Sequence, residues 1–340
     1  MVCQLKELPA ALDFAPPVSF RRLRLTPLRF RTPSDLEYLT CADADAGKWV
    51  TVEEMSAAGS VPQLRVNNRS EHRILIAEGS TLIGAKQNRV VNISVLLAPL
   101  SQTLIPVSCV ERGRWRYDTP TFGLGAFSDC NLRAKMSAGV TASLKQFGKV
   151  IMDQGKVWAH VDSMLGQAKA ASPTHAYQAV FDKCQDDIKD YESRLAAPAG
   201  ACGVAVEIDE IVQAVDLFDK PETLHTLWPR LLKSYALAAL HPRPAAGRKT
   251  DVKEFLRRAL AAPAESFQAA GLGVSMRLAS EEAVGAALYC DNQLVHLSLF
   301  ASEPGNGPTS AMSTLGQQPS APTTQDSPDR PRRPWWRLGM

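Results

Sequence analysis

The chain has 340 residues and 45% of them are hydrophobic, which is enough to bury a core without metal ions or disulfides. Its 38 basic and 35 acidic residues leave a net charge of +3, which excludes a global field that would hold the whole chain on nucleic acid or an anionic membrane. No long uninterrupted apolar stretch and no secretory signal pattern occur, so we expect no membrane span and a cytoplasmic location.

The first half of the chain reads as short β-strands. We assign residues 1–15 to a flexible segment, and residues 18–30 alternate apolar with basic side chains as one strand does. Four further β-favouring runs follow closely. Strands this close must either form antiparallel meanders or cross between two sheets, because parallel crossovers need a dozen or more residues. These runs are 63–66, 74–77, 90–97 and 103–110.

The second half of the chain changes to helical periodicity interrupted by hairpins. Ser172 and Pro173 supply an N-cap and a first-turn proline for one helix, and Asp209-Glu210 and Asp291-Asn292 are turn pairs. The predicted helices are 157–168, 173–195, 221–240 and 252–260, and the predicted hairpins are 203–218 and 284–300. The sequence therefore predicts one α+β domain over residues 16–301. It has an antiparallel, sandwich-like β-rich core in its first half, with amphipathic helices and two further β-hairpins in its second half.

The two hairpins share more than their length. Residues 204–218 align without gaps with residues 286–300, with an Asp at each turn and a closing Leu-Phe in each. An internal duplication would produce this match, and so would the spacing that any two amphipathic hairpins share.

Beyond the domain, residues 302–340 are rich in Pro, Ser, Thr, Gly and Gln. Such a composition has too few apolar residues to offset the ordering entropy, so we predict a disordered tail. The tail carries a PxxP spacing at Pro331 and Pro334 with arginines around it. This segment is an untethered end, a polyproline ligand for a protein partner, or a weak interfacial anchor.

Two polar runs in the β-rich half are candidates for a functional site. Lys86, Gln87, Asn88 and Arg89 follow a glycine and can offer charge-assisted donors to one anion, or they are a solvated polar turn. The run begins at Glu78, a candidate acid or base.

The second run ends a strong strand. Glu111 is a candidate acid or base, Arg114 or Arg116 a candidate anion ligand, and Trp115 a stacking surface. Cys109 is more typical of a core residue than of a nucleophile. The cysteines are scattered singly and no histidine pair has metal-ligand spacing, so the sequence predicts reduced thiols, no metal site and no cofactor.

These polar runs also carry a resemblance to a known family. Together with several later stretches, they resemble the ARG and Rhodanese-Phosphatase-superfamily-associated Protein domain, over about residues 20–300. The matching stretches are 64–70 (LRVNNRS), 78–89 (EGSTLIGAKQNR), 105–115 (IPVSCVERGRW), 153–158 (DQGKVW), 216–219 (DLFD) and 228–235 (WPRLLKSY). ARG abbreviates ADP-ribosylglycohydrolase, so the resemblance implies an association with ADP-ribose or nucleotide metabolism, in the setting of conflict systems.

Two functions from different classes follow. The first is binding or processing of an anionic, nucleotide-like small molecule at a site formed by Lys86, Gln87, Asn88, Arg89 and the loop 111–115, with Glu78 or Glu111 as the acid or base. The second is a non-catalytic interaction domain that recruits a protein partner, through its polar loops and its tail. No nucleic-acid partner is expected for either.

Overall fold

A computed structural model describes residues 5–32, 34–55, 62–242, 249 and 251–302. The helices of this part are α1 (Leu8–Ala11), α2 (Cys41–Ala46), α3 (Cys130–Phe147), α4 (Gln154–Ala168), α5 (Gln178–Lys183), α6 (Gln185–Arg194), α7 (Pro221–Leu240) and α8 (Val252–Ala261). The strands of its first half are β1 (Leu12–Phe14), β2 (Val18–Phe20), β3 (Leu23–Phe30), β4 (Leu39–Thr40), β5 (Val50–Glu54), β6 (Gln63–Asn68), β7 (Ile74–Ile76), β8 (Ser80–Gly84), β9 (Arg89–Val91), β10 (Val95–Leu97), β11 (Ser101–Cys109) and β12 (Phe122–Phe127). The strands of its second half are β13 (Gly203–Ile208), β14 (Ile211–Phe218), β15 (Ala264–Gln268), β16 (Val274–Ala279), β17 (Ala283–Cys290) and β18 (Gln293–Ala301).

The largest sheet joins strands from the two ends of the described chain. Its order is β1-β3-β13-β14-β18-β17-β16-β15, with β2 paired to β3, and every pair in it is antiparallel. α7 packs against β3, β13 and β14, whereas α3 packs against β16, β17 and β18. Side chains of α8 and of residues 5–12 form an apolar cluster with sheet residues that include Val215, Leu217 and Leu297.

Two smaller sheets form the β-rich part of the first half. A six-stranded sheet has the order β12-β8-β9-β11-β6-β5, and a three-stranded sheet has the order β10-β7-β4. A common apolar cluster lies between them, with Val66, Ile76 and Val107 among its buried members. The predicted α+β class and the antiparallel, sandwich-like character of this half are therefore confirmed, with the short β4–β7 pair as a parallel exception.

Both hairpins of the second half are confirmed. Asp209 and Glu210 have φ of 52° and 63°, and Asp291 and Asn292 have φ of 51° and 63°. Positive φ at both central residues is the geometry of the two-residue turns that match the right-handed twist of paired strands.

Near its start the chain is more structured than expected. The predicted flexible segment 1–15 contains a 3-10 turn, α1 and β1, because Leu5 and Leu8 bury against α8 and β1 pairs with β3. The single strand expected over residues 18–30 is a tight hairpin that turns at Arg21, whose φ is 52°. Two adjacent arginines give no sequence signal for such a turn.

The helical region also departs from the prediction. The helix expected over 173–195 begins at residue 178 and is divided into α5 and α6 at Cys184, and Ser172-Pro173 lies in a turn instead of capping it. α3 was not predicted, although it is eighteen residues long and central in the fold. Buried polar residues such as Arg133 and Ser137 interrupt its apolar stripe, so its periodicity is weak.

Two strands of the large sheet, β15 and β16, were not predicted. The predicted disordered tail lies, from residue 303 onward, outside the described residues. No helix in the described part of the chain is long and apolar enough to cross a membrane.

Candidate functional site

The first predicted polar run forms the connection between β8 and β9. Gly84 ends β8 with φ of 115°, and a Cβ at this position would lie 2.2 Å from Thr119 Oγ1. Only glycine fits this backbone geometry and this close approach. The connection is held at its base by the amide of Gly84, which donates to Asn88 Oδ1 at 3.0 Å, and by the amide of Ala85, which donates to Thr119 Oγ1 at 3.0 Å.

Glu111 joins this connection to two other parts of the chain. Its carboxylate accepts from Thr174 Oγ1 at 2.7 Å, from the amide of Asn88 at 3.1 Å, and from Arg114 at 3.0 Å (Nε) and 2.7 Å (Nη2). Burial alone would raise the pKa of Glu111, but the hydrogen bonds from Arg114, Thr174 and Asn88 outweigh it and hold the pKa below its ordinary value. Glu111 is therefore a charged anchor at neutral pH.

Arg114 closes the same network from the other side. Its Nη1 donates to the carbonyl of Ala85 at 2.6 Å, and its Nη2 donates to Asn88 Oδ1 at 3.1 Å as well as to Glu111. The amide of Gly113 donates to the carbonyl of Thr174 at 2.8 Å. The loop after β11 is thus fixed both to the β8–β9 connection and to the turn before α5. We call residues 84–89 and 111–117 the loop site.

Arg89 and Lys86 meet beneath the exposed rings of the loop site. Arg89 is fully buried and donates to Glu54 at 3.3 Å and to the carbonyl of Gln87 at 3.1 Å, and its guanidinium lies 5.9 Å from the Trp115 ring. The Lys86 ammonium lies 5.2 Å from the Trp115 ring and 5.3 Å from the Tyr117 ring. Cations at these distances over aromatic faces are attracted to them.

Glu78 lies in a different environment from the other predicted site residues. Its carboxylate accepts from Ser298 Oγ, its amide donates to Ser94 Oγ at 3.0 Å, and Arg277 Nη1 lies 3.9 Å from its second oxygen. The structure therefore brings Lys86, Gln87, Asn88, Arg89, Glu111, Arg114 and Trp115 together and places Glu78 among partners from the large sheet.

The surroundings of Glu78 form what we call the interior network. Its other members are buried polar residues from α3, α7 and the large sheet, namely Arg133, Asp216, Tyr235, His296 and Ser298. Arg133 Nη1 donates to Asp216 Oδ2 at 2.8 Å, and the Tyr235 hydroxyl donates to the same oxygen at 2.6 Å. Burial alone would raise the pKa of Asp216, but Arg133 and His296 outweigh it and hold the pKa well below its ordinary value.

Sequence reasoning missed several partners of the loop site. Glu54, Thr174 and Tyr117 contact it, yet Glu54 and Thr174 lie 35 and 63 positions away from the groups they contact. Pairing at such separations leaves no local signal in one sequence. Tyr117 was within reach of sequence reasoning, because it follows Trp115 at a spacing that places both on one side of an extended segment.

Cys109 lies next to the loop site but has the properties of a core residue. It is 1% exposed, and burial raises the pKa of its thiol to about 11. A thiol with this pKa is protonated at neutral pH and is a poor nucleophile. The structure therefore favours the packing role expected for it.

The chemistry open to the loop site follows from its charges. Arg89 and Arg114 are each matched by a buried carboxylate, whereas Arg112 and Arg116 are exposed on the same loop as the half-exposed rings of Trp115 and Tyr117. Arg112 forms an exposed ion pair with Asp162 at 3.4 Å, close to His175, so its charge is partly balanced, and Arg116 adds a further positive charge to the same loop. The rigid base thus presents a cationic rim with two aromatic faces, which suits a ligand that is both flat and anionic.

Comparison with known protein families gives a match over most of the chain. The family model of the ARG and Rhodanese-Phosphatase-superfamily-associated Protein domain matches residues 11–300. No curated protein and no solved structure matches this chain.

Proposed function

Because the chain belongs to the ARG and Rhodanese-Phosphatase-superfamily-associated Protein domain family, we propose that its loop site binds an anionic, nucleotide-like small molecule. The family name supplies only an association with ADP-ribosylglycohydrolases, so ADP-ribose and adenine nucleotides are the first ligands to test. The proposal itself rests on the side chains of the loop.

One observation carries the proposal. Lys86 lies within 5.3 Å of the ring centroids of Trp115 and Tyr117, and those two rings are 48% and 49% exposed. Tryptophan and tyrosine offer flat faces to solvent at this degree of exposure, and a nucleotide base can stack on either ring. Phosphates of the same ligand would then meet the cations of the rim.

The buried network below supports the same proposal. Glu111, Asn88 and Arg114 fix the backbone of both loops, so the rim is preorganised and little ordering entropy is lost on binding. Glu111 acts in this proposal as a positioning residue, because its oxygens are already occupied and its pKa is low. If the bound molecule is processed, another group at the rim acts as the acid or base. Glu78 does not take this role in the proposal, because its partners belong to the interior network.

Calorimetry with the full chain tests this function. ADP-ribose, ADP and adenosine are titrated into the wild type, Lys86→Ala and Trp115→Ala. We expect ADP and ADP-ribose to bind more tightly than adenosine, and each substitution to weaken binding roughly ten- to a hundredfold.

Two control variants separate charge from stacking and from folding. Trp115→Phe keeps a ring and should retain most of the affinity, and Lys253→Ala removes an exposed lysine of α8 and should bind as the wild type does. If Lys86→Ala and Trp115→Ala bind like Lys253→Ala while their melting temperatures are unchanged, the loop site is not the binding site. Absence of binding by any phosphate-containing ligand would favour the interaction-domain alternative.

A further inference from the structure

A cleft lies away from the loop site, where four connections meet. It joins the segment before β4 and the turns between β6 and β7, between β10 and β11, and between β17 and β18, and its volume is about 450 Å³. Its lining residues are Asp35, Leu36, Glu37, Glu71, His72, Arg73, Pro99, Asp291 and Gln293.

The cleft combines negative charge with an apolar rim. Four carboxylates line the cleft, and its one arginine, Arg73, pairs with Asp291 at 2.7 Å. The charged side chains of the lining therefore carry a net charge of −3 when His72 is neutral. The indole of Trp49, 41% exposed, lies 6.2 Å from the His72 ring, and Leu100, which follows Pro99, is 69% exposed. A partner for this surface should therefore be basic and should carry large apolar or aromatic side chains.

The chain itself contains a segment with this chemistry. Residues 330–337 read RPRRPWWR, with four arginines, two tryptophans and no acidic residue. Arginine pairs with carboxylates in a bidentate way, and proline-containing segments dock on surfaces that present tryptophan.

The geometry permits the segment to reach the cleft. β18 begins at Gln293, which lines the cleft, and runs nine residues to Ala301, so the described chain ends about 30 Å away at roughly 3.3 Å per residue. The segment 302–329 has roughly 28 residues, which can extend to about 90 Å. It is three times longer than the return path requires.

We propose that residues 330–337 dock in the acidic cleft of their own chain. The arginines pair with Glu37, Glu71 and Asp35, and the tryptophans cover Trp49 and Leu100. Tethering by a segment of this length gives an effective concentration of the order of 1 mM. A contact with a Kd of roughly 100 µM would then be occupied about 90% of the time, so docking does not require high intrinsic affinity.

Hydrogen exchange on the full chain tests docking directly. Amides of residues 35–37 and 71–73 should exchange up to about tenfold faster in Arg332→Glu/Arg333→Glu than in the wild type, because occupancy of about 90% slows exchange by that factor. Raising the salt concentration to about 1 M should also speed exchange in the wild type, because the Debye length falls to about 3 Å and the attraction between exposed charges is weakened. Thr323→Glu/Thr324→Glu leaves the basic segment intact and should exchange as the wild type does.

A charge swap makes the test specific to this pairing. Glu37 and Glu71 are both exposed, so Glu37→Lys/Glu71→Lys should fold normally and lose the protection. The variant that combines Glu37→Lys/Glu71→Lys with Arg332→Glu/Arg333→Glu should regain the protection, because the opposite charges face each other again. Equal exchange in the wild type and the arginine variant would overturn the proposal. Protection that rises with protein concentration would also overturn it, because the cleft would then be filled by a second copy.

Discussion

Glu111 has no spare acceptor capacity for a substrate, since both carboxylate oxygens accept hydrogen bonds from within the chain. The sequence placed it correctly beside Arg114, three positions away, but could not show that the arginine and a threonine from a distant turn saturate it. A polar run at the end of a strand therefore indicates residues that the fold brings together, and not which of them would meet a ligand at the proposed site.

A substitution at Glu111 should test its anchoring role. Glu111→Gln should lower the free energy of unfolding by about 2 kcal/mol at pH 7, because Arg114 loses its charged partner. The folded pKa of Glu111 is below its unfolded value, so its contribution is present above the unfolded pKa, near 4.5, and is lost as the pH falls through the folded pKa.

The difference between wild type and variant should therefore shrink as the pH is lowered below about 4.5, as measured by urea unfolding across that range. Glu281→Gln, at an exposed position, is the control and should differ little from the wild type at any pH. A variant whose stability stays equal to that of the wild type at pH 7 would show that Glu111 does not anchor the loops.

The prediction of the site was limited by tertiary pairing. Lys86, Asn88, Arg89 and Arg114 were chosen as candidates because polar side chains interrupt a β-rich region. Glu54, which neutralises Arg89, is the last residue of β5 and looks like any strand end. Glu78 was grouped with the loop site by sequence proximity, yet β8 separates it from the β8–β9 connection and carries it into the interior network.

At the scale of elements, the β13–β14 and β17–β18 hairpins, each with a recognisable pair of turn residues, were the most predictable part of the fold. Alternating apolar residues around a pair of turn residues determine both strands and the turn within a few positions. Helices were predicted well where one apolar face is continuous, as in α7, and missed in α3, where buried polar residues serve the interior network. Periodicity fails where a helix faces charged partners instead of an apolar core.

The two hairpin turns should respond differently to glycine. Glu210 and Asn292 both adopt φ of 63°. Positive φ is unfavourable for a glutamate, whereas asparagine tolerates it. Glu210→Gly should raise the free energy of unfolding by about 0.5–1 kcal/mol, and Asn292→Gly should change it by less. Denaturant midpoints of the two variants measure the difference. A larger gain for Asn292→Gly would contradict the account.

At the scale of the molecule, the interior network joins three elements around one carboxylate. Asp216 lies in β14 and receives Arg133 from α3 and Tyr235 from α7, so both helices are held to the large sheet at the same point. Removal of this charge would leave a buried guanidinium without compensation, which is far more unfavourable than loss of a surface pair.

Asp216→Asn should therefore reduce stability by about 3–5 kcal/mol. Asp209→Asn is the matched control, because Asp209 pairs with Arg22 at the surface and its loss should change stability by less than about 1 kcal/mol. Thermal and chemical unfolding of both variants measure the contrast. Similar, small effects for the two would mean that α3 and α7 are held to the sheet by apolar packing alone.

The β13–β14 and β17–β18 hairpins pair through β14 and β18 in the register that a local two-fold axis would produce. In the gap-free alignment Asp216 is equivalent to Ser298, and these two residues pair directly across β14 and β18. The register shift between Val206 and Glu207 in one hairpin recurs between the equivalent Leu288 and Tyr289 in the other, which supports duplication over shared spacing.

Two identical hairpins would set aspartate against aspartate on that axis, and like charges directly opposite each other destabilise a sheet. Serine at 298 removes this repulsion. It also leaves a hydroxyl that donates to Glu78, so the second carboxylate of the interior network comes from outside the repeat. The departure from symmetry at one position thus connects the large sheet to the β-rich half of the chain.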